Sequence, residues 1–516
     1  MRTYDFIVAG GGSAGCVVAA ELSKNHEVLL LEAGPHAEAH PETLTADGYK
    51  KAFINDALLH ERFSVADPRW GSRRLFMGSG RGLGGSGSIN GMVYTRGARE
   101  DFDQWPERWR WDDVREPFEA LEAVLRPHRR EPTDWTERCI AAAEKAGFRR
   151  KEDLNDGDLC GVLGYEWMSY EGDRRRSSFT AFLQPALDRP TLTVQTGAQV
   201  DRVVFEGTRA VGVRWRSGGR AHEARASREV VLCAGTLATP AILMRSGVGD
   251  AASLRRLGAE VVIDQPEVGA NLHDHPNVQL FFKGRREVDC SYPQLYGFHR
   301  AGDAPSLVPG QADSCYVFYP ARSSFREGLM RLLPGIALPQ RLYDTGWAPA
   351  AVRKGVEVLF RRRAVQRFVE RMWGIVVILG KPVSRGRLWI ETLDPSVQPR
   401  IDPGYFDDPA DMRTLLRGVE LAREVAAAEP LASFGNTELW PGPLHRNLDR
   451  WARQNVMTTY HYAGTCRMGE VVDTELRVRG AEGLRVADAS VMPITPVAAL
   501  NAPSMMIGLR AARWMA

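Results

Sequence analysis

A strand, a glycine turn and a helix open the chain, and that turn constrains everything after it. Residues 4–9 are apolar but for Asp5, 10–15 read Gly-Gly-Gly-Ser-Ala-Gly, 17–22 carry a helical apolar pattern, and 28–31 are continuously apolar. Strands buried on both faces read as unbroken apolar runs, so the pattern predicts a βαβ unit in a parallel sheet. Gly10, Gly12 and Gly15 form GxGxxG, with Ser13 and Ala14 between them, and Glu32 ends the second strand. Such a turn lets a pyrophosphate approach the N-terminus of the helix, and an acid at the end of the second strand holds a ribose hydroxyl pair. The prediction is a dinucleotide site.

The same turn spells GxSxG with Ser13 at its centre, the pattern of a hydrolase nucleophile elbow. An elbow sits on a central strand reached after several others, whereas this one follows the first strand, and only a nucleotide accounts for Glu32. A serine hydrolase is therefore the rival reading. A second glycine concentration fills seven of the fourteen positions from 78 to 91. Bare backbone of that kind suits close contact with a flat or anionic cofactor, and the run ends in Ser-Ile-Asn-Gly-Met-Val-Tyr, whose apolar residues imply burial.

Charge excludes other classes. The 67 basic and 64 acidic residues leave +3, too weak a field for a dedicated nucleic-acid binder. Seven cysteines include no CxxC pair, which reads as reduced thiols and predicts neither a disulfide framework nor a metal site. The first apolar run leads straight into glycines and no 18-residue apolar stretch occurs, so neither a secretory signal nor a spanning helix is expected, and the predicted location is cytoplasmic.

Strand-like runs at 192–196, 200–205, 210–214 and 229–233 suggest a meander returning to the first sheet, and runs at 278–282, 314–319, 375–379 and 387–391 suggest a second, antiparallel layer with a helix near 411–427. Residues 322–371 stand apart. They hold eleven Lys or Arg against four acids, so this stretch is positive and the remainder of the chain negative. Apolar residues alternate with the arginines, a pattern used at membrane surfaces, while Pro334 and Pro339 predict short pieces rather than one long helix.

Toward the C-terminus, His461 lies between two tyrosines and Asn501 follows forty residues later. A neutral imidazole beside an amide donor makes a workable general-base pair, although on residues alone a satisfied core histidine is the plainer reading. His273 and His275 have no further ligand cluster around them and are taken as structural.

The segments 5–15, 84–97, 235–240 (Gly-Thr-Leu-Ala-Thr-Pro), 268–275 (Val-Gly-Ala-Asn-Leu-His-Asp-His) and 461–508 together resemble the glucose-methanol-choline (GMC) oxidoreductase family, in order and over nearly the whole chain. The tail is closest to the choline-dehydrogenase-like bacterial alcohol dehydrogenases and oxidases. The resemblance implies an α/β flavoprotein with a discontinuous Rossmann-like FAD-binding domain (1–158, 189–277 and 456–516). Its substrate domain (159–188 and 278–455) is built on an antiparallel sheet and carries 322–371 as a basic insertion.

The implied reaction is oxidation of a small alcohol, a primary one, to an aldehyde by hydride transfer to flavin N5. Oxygen, a quinone or a redox protein would accept the electrons, and nucleic acid is not a partner. Hydroxynitrile-lyase activity on the same fold stays open as an alternative. Gly10, Gly12, Ser13, Ala14, Gly15 and Glu32 would bind the ADP half, Val200 would touch adenine, and Asp488 would sit near the pyrophosphate and ribityl chain. Asn90 and Gly91 would lie beside the isoalloxazine, and Gly84, Met92, Val93, Ala489 and Pro503 join the cofactor contacts. His461 becomes the base and Asn501 its partner on the substrate oxygen. Covalent members use a His where this chain has Ile89, which implies non-covalent FAD. Residues 322–371 match no motif of the family; their charge and apolar pattern predict either a solvated lid or oligomer contact, or a peripheral contact with the inner face of a membrane.

Overall fold

The computed structural model describes residues 2–516. Its first layer is a seven-stranded sheet around the opening strand Thr3–Ala9, which pairs in parallel with Val28–Leu31 on one side and with Arg220–Leu232 on the other. Leu192–Gln195 extends it in parallel beyond Val28–Leu31. Gln199–Glu206 and Arg209–Ser217 form an antiparallel ribbon on the first half of Arg220–Leu232, and Leu484–Val486 runs parallel to its last residues. Every residue of Val28–Leu31 is buried, as the continuous apolar run requires. The helices Ser13–Leu22 and Asn501–Met515 pack against one another, so the two ends of the chain meet.

The second layer is an eight-stranded sheet in the order Thr437–Trp440, Pro276–Lys283, Met372–Leu379, Ser314–Pro320, Leu295–His299, Val162–Tyr165 and Arg149–Arg150, with Met457–Thr458 also on Pro276–Lys283. It is antiparallel except for its last pair. Arg387–Trp389, expected in this layer, pairs instead with Arg400–Asp402 in a separate two-stranded ribbon. The predicted helix spans Pro409–Ala427, with Asp408 accepting a hydrogen bond at its N-cap from the Ala410 N–H.

Residues 322–371 fold into helices Phe325–Ala337, Gln340–Tyr343, Trp347–Phe360 and Arg363–Glu370. Pro339 sits at a boundary as expected, but Pro334 is accommodated inside the first helix, three residues before its end. The first helix is tied to the body by buried Arg331, which pairs with Asp56 at 2.7 Å. All seven cysteines are unpaired, and no helix of the described residues is long and apolar enough to cross a membrane.

Candidate active site

A cavity of about 890 Å³ lies between the layers. Its wall takes in Gly10, Gly12, Ser13, Ala14, Glu32 and Val200 from the first sheet and its turns, Ile89, Asn90, Gly91 and Val93 from the glycine-rich loop, and His461, Asp488, Ala489 and Asn501 from the C-terminal segments. Gly15, Gly84, Met92 and Pro503 stand behind this wall rather than on it.

The glycine turn divides its labour. A Cβ on Gly15 would lie 1.9 Å from the Gly10 carbonyl oxygen, so only glycine lets the helix pack onto the strand. A Cβ on Gly12 would meet no protein atom nearer than 4.0 Å, which leaves the space over that residue to a ligand. Glu32 accepts hydrogen bonds from the N–H groups of Gly11 (2.8 Å), Gly34 (2.7 Å) and Gly82 (3.0 Å). Its carboxylate is thereby fixed at the cavity wall with acceptor capacity to spare, although burial pushes its pKa up. Asp488 likewise joins separate loops, accepting from the Gly235 N–H, the Thr239 hydroxyl and the Ser490 N–H. The clearance over Gly12 at a helix N-terminus, a fixed carboxylate and a cavity of this volume fit an FAD.

His461 is placed by a strand pairing. Met457–Thr458 pairs antiparallel with Pro276–Asn277, and His273 bridges to Ala463, so the segments on either side of His275 and His461 run alongside each other. The two rings meet edge to face with Nδ1 to Nδ1 at 3.0 Å. Buried Asp274 between the histidines accepts from the His461 backbone N–H at 2.8 Å and from the hydroxyls of Tyr405 and Thr458. Tyr460, next to His461, takes a φ of +63°, a conformation uncommon for a bulky residue and held here by the surrounding contacts. Burial pulls the His461 pKa down to about 4 and lowers that of His275 well below the ordinary imidazole value, so both rings are neutral at pH 7.

Asn501 opens the C-terminal helix, and its Oδ1 accepts from Ser13 Oγ at 2.8 Å. Its amide N–H2 is then the group it offers to the cavity. Ser13 faces an amide that cannot take its proton, not an imidazole, which is not how a hydrolase nucleophile is held.

The sequence matches the GMC oxidoreductase family over residues 4–277 with its N-terminal domain and over 382–508 with its C-terminal domain. This chain belongs to the GMC oxidoreductase family. It is accordingly an FAD-dependent oxidoreductase. Among relatives, it is 33% identical to an oxygen-dependent choline dehydrogenase of Chromohalobacter salexigens, covering 98% of this chain and 93% of that protein. It is 32% identical to the human mitochondrial choline dehydrogenase, over 99% and 89%. Among solved structures, pyridoxine 4-oxidase from Mesorbium loti superposes with a TM-score of 0.82 at 26% identity, over 99% of this chain and 98% of that one. A formate oxidase from Aspergillus oryzae gives 0.84 at 23% over the same shares and shares the fold. Both sheets described above are therefore those of a GMC flavoprotein.

Three residues of this GMC enzyme's cavity region were not singled out from the sequence. His275 was set aside as structural together with His273; the latter's Nδ1 is indeed held by the Asn271 carbonyl oxygen at 2.8 Å, but His275 contacts the candidate base. Arg175, 1% exposed, donates to the Gly87 carbonyl and to both the carbonyl and side-chain oxygens of Asn90, pinning the loop that reaches the cavity. Without a carboxylate partner, its buried guanidinium has a pKa pulled down to about 9. Glu166 lies on the cavity wall with both carboxylate oxygens unpartnered, and burial pushes its pKa up to about 8.

Proposed function

We propose that the protein oxidises a primary alcohol to an aldehyde with His461 as general base and Asn501 as hydrogen-bond donor to the substrate oxygen. The observation that carries this reading is the neutral His461 ring on the cavity wall, its Nδ1 engaged by His275 and its Nε2 left for a ligand. Bound FAD would supply the hydride acceptor. His461 takes the hydroxyl proton at Nε2, which requires the tautomer in which its Nδ1–H donates to His275 Nδ1. Asp274 holds the backbone of His461, and Asn501 N–H2 steadies the developing oxyanion. The choline dehydrogenases among the relatives support an alcohol as substrate.

In this reading 1–158, 189–277 and 456–516 hold the cofactor, and 159–188 with 278–455 cover the substrate. Oxygen, a quinone or a redox protein accepts the electrons, and 322–371 makes the contact with a membrane. Because the base works neutral, kcat/KM is expected to stay level on the acid side down to about pH 5 and to fall as pH approaches the His461 value of about 4. An ordinary imidazole would lose activity below about pH 6.5, so a pH–rate profile bending there contradicts the assignment.

The cofactor is held without a covalent bond. Ile89 lines the cavity and has no nucleophilic atom with which to attack the flavin. Acid precipitation of the yellow protein is expected to release FAD into the supernatant, and colour remaining in the pellet would refute this.

A further inference from the structure

The helices of 322–371 leave several large apolar side chains exposed. Of the ten large apolar side chains that stand exposed among the described residues, six lie here: Ile336, Leu342, Trp347, Val358, Leu359 and Phe368. Helix Trp347–Phe360 turns Ala348, Pro349 and Val356 inward, yet its outer stripe is apolar as well, with Trp347, Ala351, Gly355 and Val358 at i, i+4, i+8 and i+11. Trp347 is 67% exposed. A contiguous apolar surface of this kind marks a contact site.

The charges around it choose the partner. Arg331 and Arg353 are tied to Asp56, and Lys354 and Arg361 to Glu357. Arg341, Arg362, Arg363 and Arg367 are exposed with no carboxylate within ion-pair distance among the described residues. A second copy of this chain would set these guanidinium groups against their own equivalents, which disfavours a symmetric dimer. Apolar side chains ringed by arginine, with an exposed tryptophan, suit the headgroup region of an anionic bilayer.

The same segment forms part of the cavity. Leu329, Leu332, Leu333 and Ile336, at i, i+3, i+4 and i+7 of helix Phe325–Ala337, all line it, and Ile336 is also 66% exposed. Trp440, 46% exposed, lines it too. One aliphatic helix face thus leads from the outer surface into the chamber that holds His461.

We propose that helices Phe325–Ala337 and Trp347–Phe360 dock this enzyme on an anionic lipid bilayer, and that the Leu329–Ile336 face is the passage by which an apolar, membrane-dissolved alcohol enters. The nature of this substrate rests on the alcohol-oxidising reading above; the docking does not.

The test uses the full-length, FAD-loaded protein with phosphatidylcholine vesicles, with and without phosphatidylglycerol. The protein is expected to sediment with the anionic vesicles at low salt and to be released in part at high salt. The triple variant Trp347→Ser, Val358→Ser, Leu359→Ser is expected to lose at least about tenfold in partitioning. Arg362→Gln, Arg363→Gln, Arg367→Gln is expected to lose about 100-fold, since each charge near the leaflet is worth about fivefold. Both variants should keep their flavin. For the mouth, an Ile336→Cys variant is expected to react with a water-soluble maleimide when free and at least about tenfold more slowly on anionic vesicles. Absence of sedimentation, variants that bind like the parent, or a dimer that the apolar triple variant dissociates would overturn the docking. A label at position 336 reacting equally fast on vesicles would overturn the passage. None of these readouts needs turnover, so anaerobic reduction of the flavin by alcohols, measured separately, can fail without altering them.

Discussion

His461→Ala is expected to retain its flavin and to lose about 10² to 10⁴ in kcat/KM, the usual worth of a positioned general base. The ring is held at its backbone by Asp274 and at Nδ1 by His275, so its removal deletes the proton acceptor while those supports remain. His275→Gln is expected to cost about tenfold, because an amide can still meet Nδ1 but no longer selects one tautomer as strictly. Asn501→Ala should cost less than His461→Ala, since a donor to the oxygen assists the transfer and does not receive the proton. Steady-state kinetics with a reducing alcohol check all three. Activity of His461→Ala within tenfold of the parent would remove the base assignment.

The second large effect separates two glycines three residues apart. In Gly15→Ala the new methyl would lie 1.9 Å from the Gly10 carbonyl oxygen, a clash between backbone elements that no side-chain rotation relieves. We expect destabilisation of about 3 kcal/mol or more, at the upper end of overpacking costs, with little flavin bound. In Gly12→Ala the methyl meets no protein atom within ordinary contact, and φ of −79° is open to alanine, so the apoprotein should keep its melting temperature to within a few degrees. It should still lose on the order of 100-fold in FAD affinity, because the methyl occupies the approach to the turn. Thermal unfolding of the apoproteins and flavin titration distinguish the two. Equal behaviour of the variants would mean that the space over Gly12 is not the cofactor's.

The nucleotide-binding half of this architecture was readable because its signals are local. Strand, glycine turn, helix and acid fall within the first 32 residues, and each does one physical task that few other residue types can do. His461 and Asn501 were readable through the motifs around them, and both reach the cavity. His275 was missed because its partner lies 186 residues away, and only the pairing of Met457–Thr458 with Pro276–Asn277 brings the rings together. Arg175 gave no signal either: one arginine among three in a row, it is singled out only by folding under the glycine loop.

The second sheet was legible as a layer but not in its order. Leu295–His299, which sits between Ser314–Pro320 and Val162–Tyr165, carries too short and mixed a pattern to be read as a strand, and its pairing with Val162–Tyr165 spans more than a hundred residues. The basic segment was legible as charge and as broken helix. What periodicity alone did not reveal is that one helix keeps an apolar stripe outward while its neighbour turns another into the cavity.

Anaerobic mixing of the purified yellow protein with a panel of primary alcohols, short and long, some charged and some not, tests the central claim most directly. The account predicts that at least one bleaches the flavin's visible absorbance with formation of one aldehyde per flavin, and that His461→Ala is slowed about 10² to 10⁴-fold in the same experiment. A flavin that dithionite bleaches but no alcohol does would contradict it.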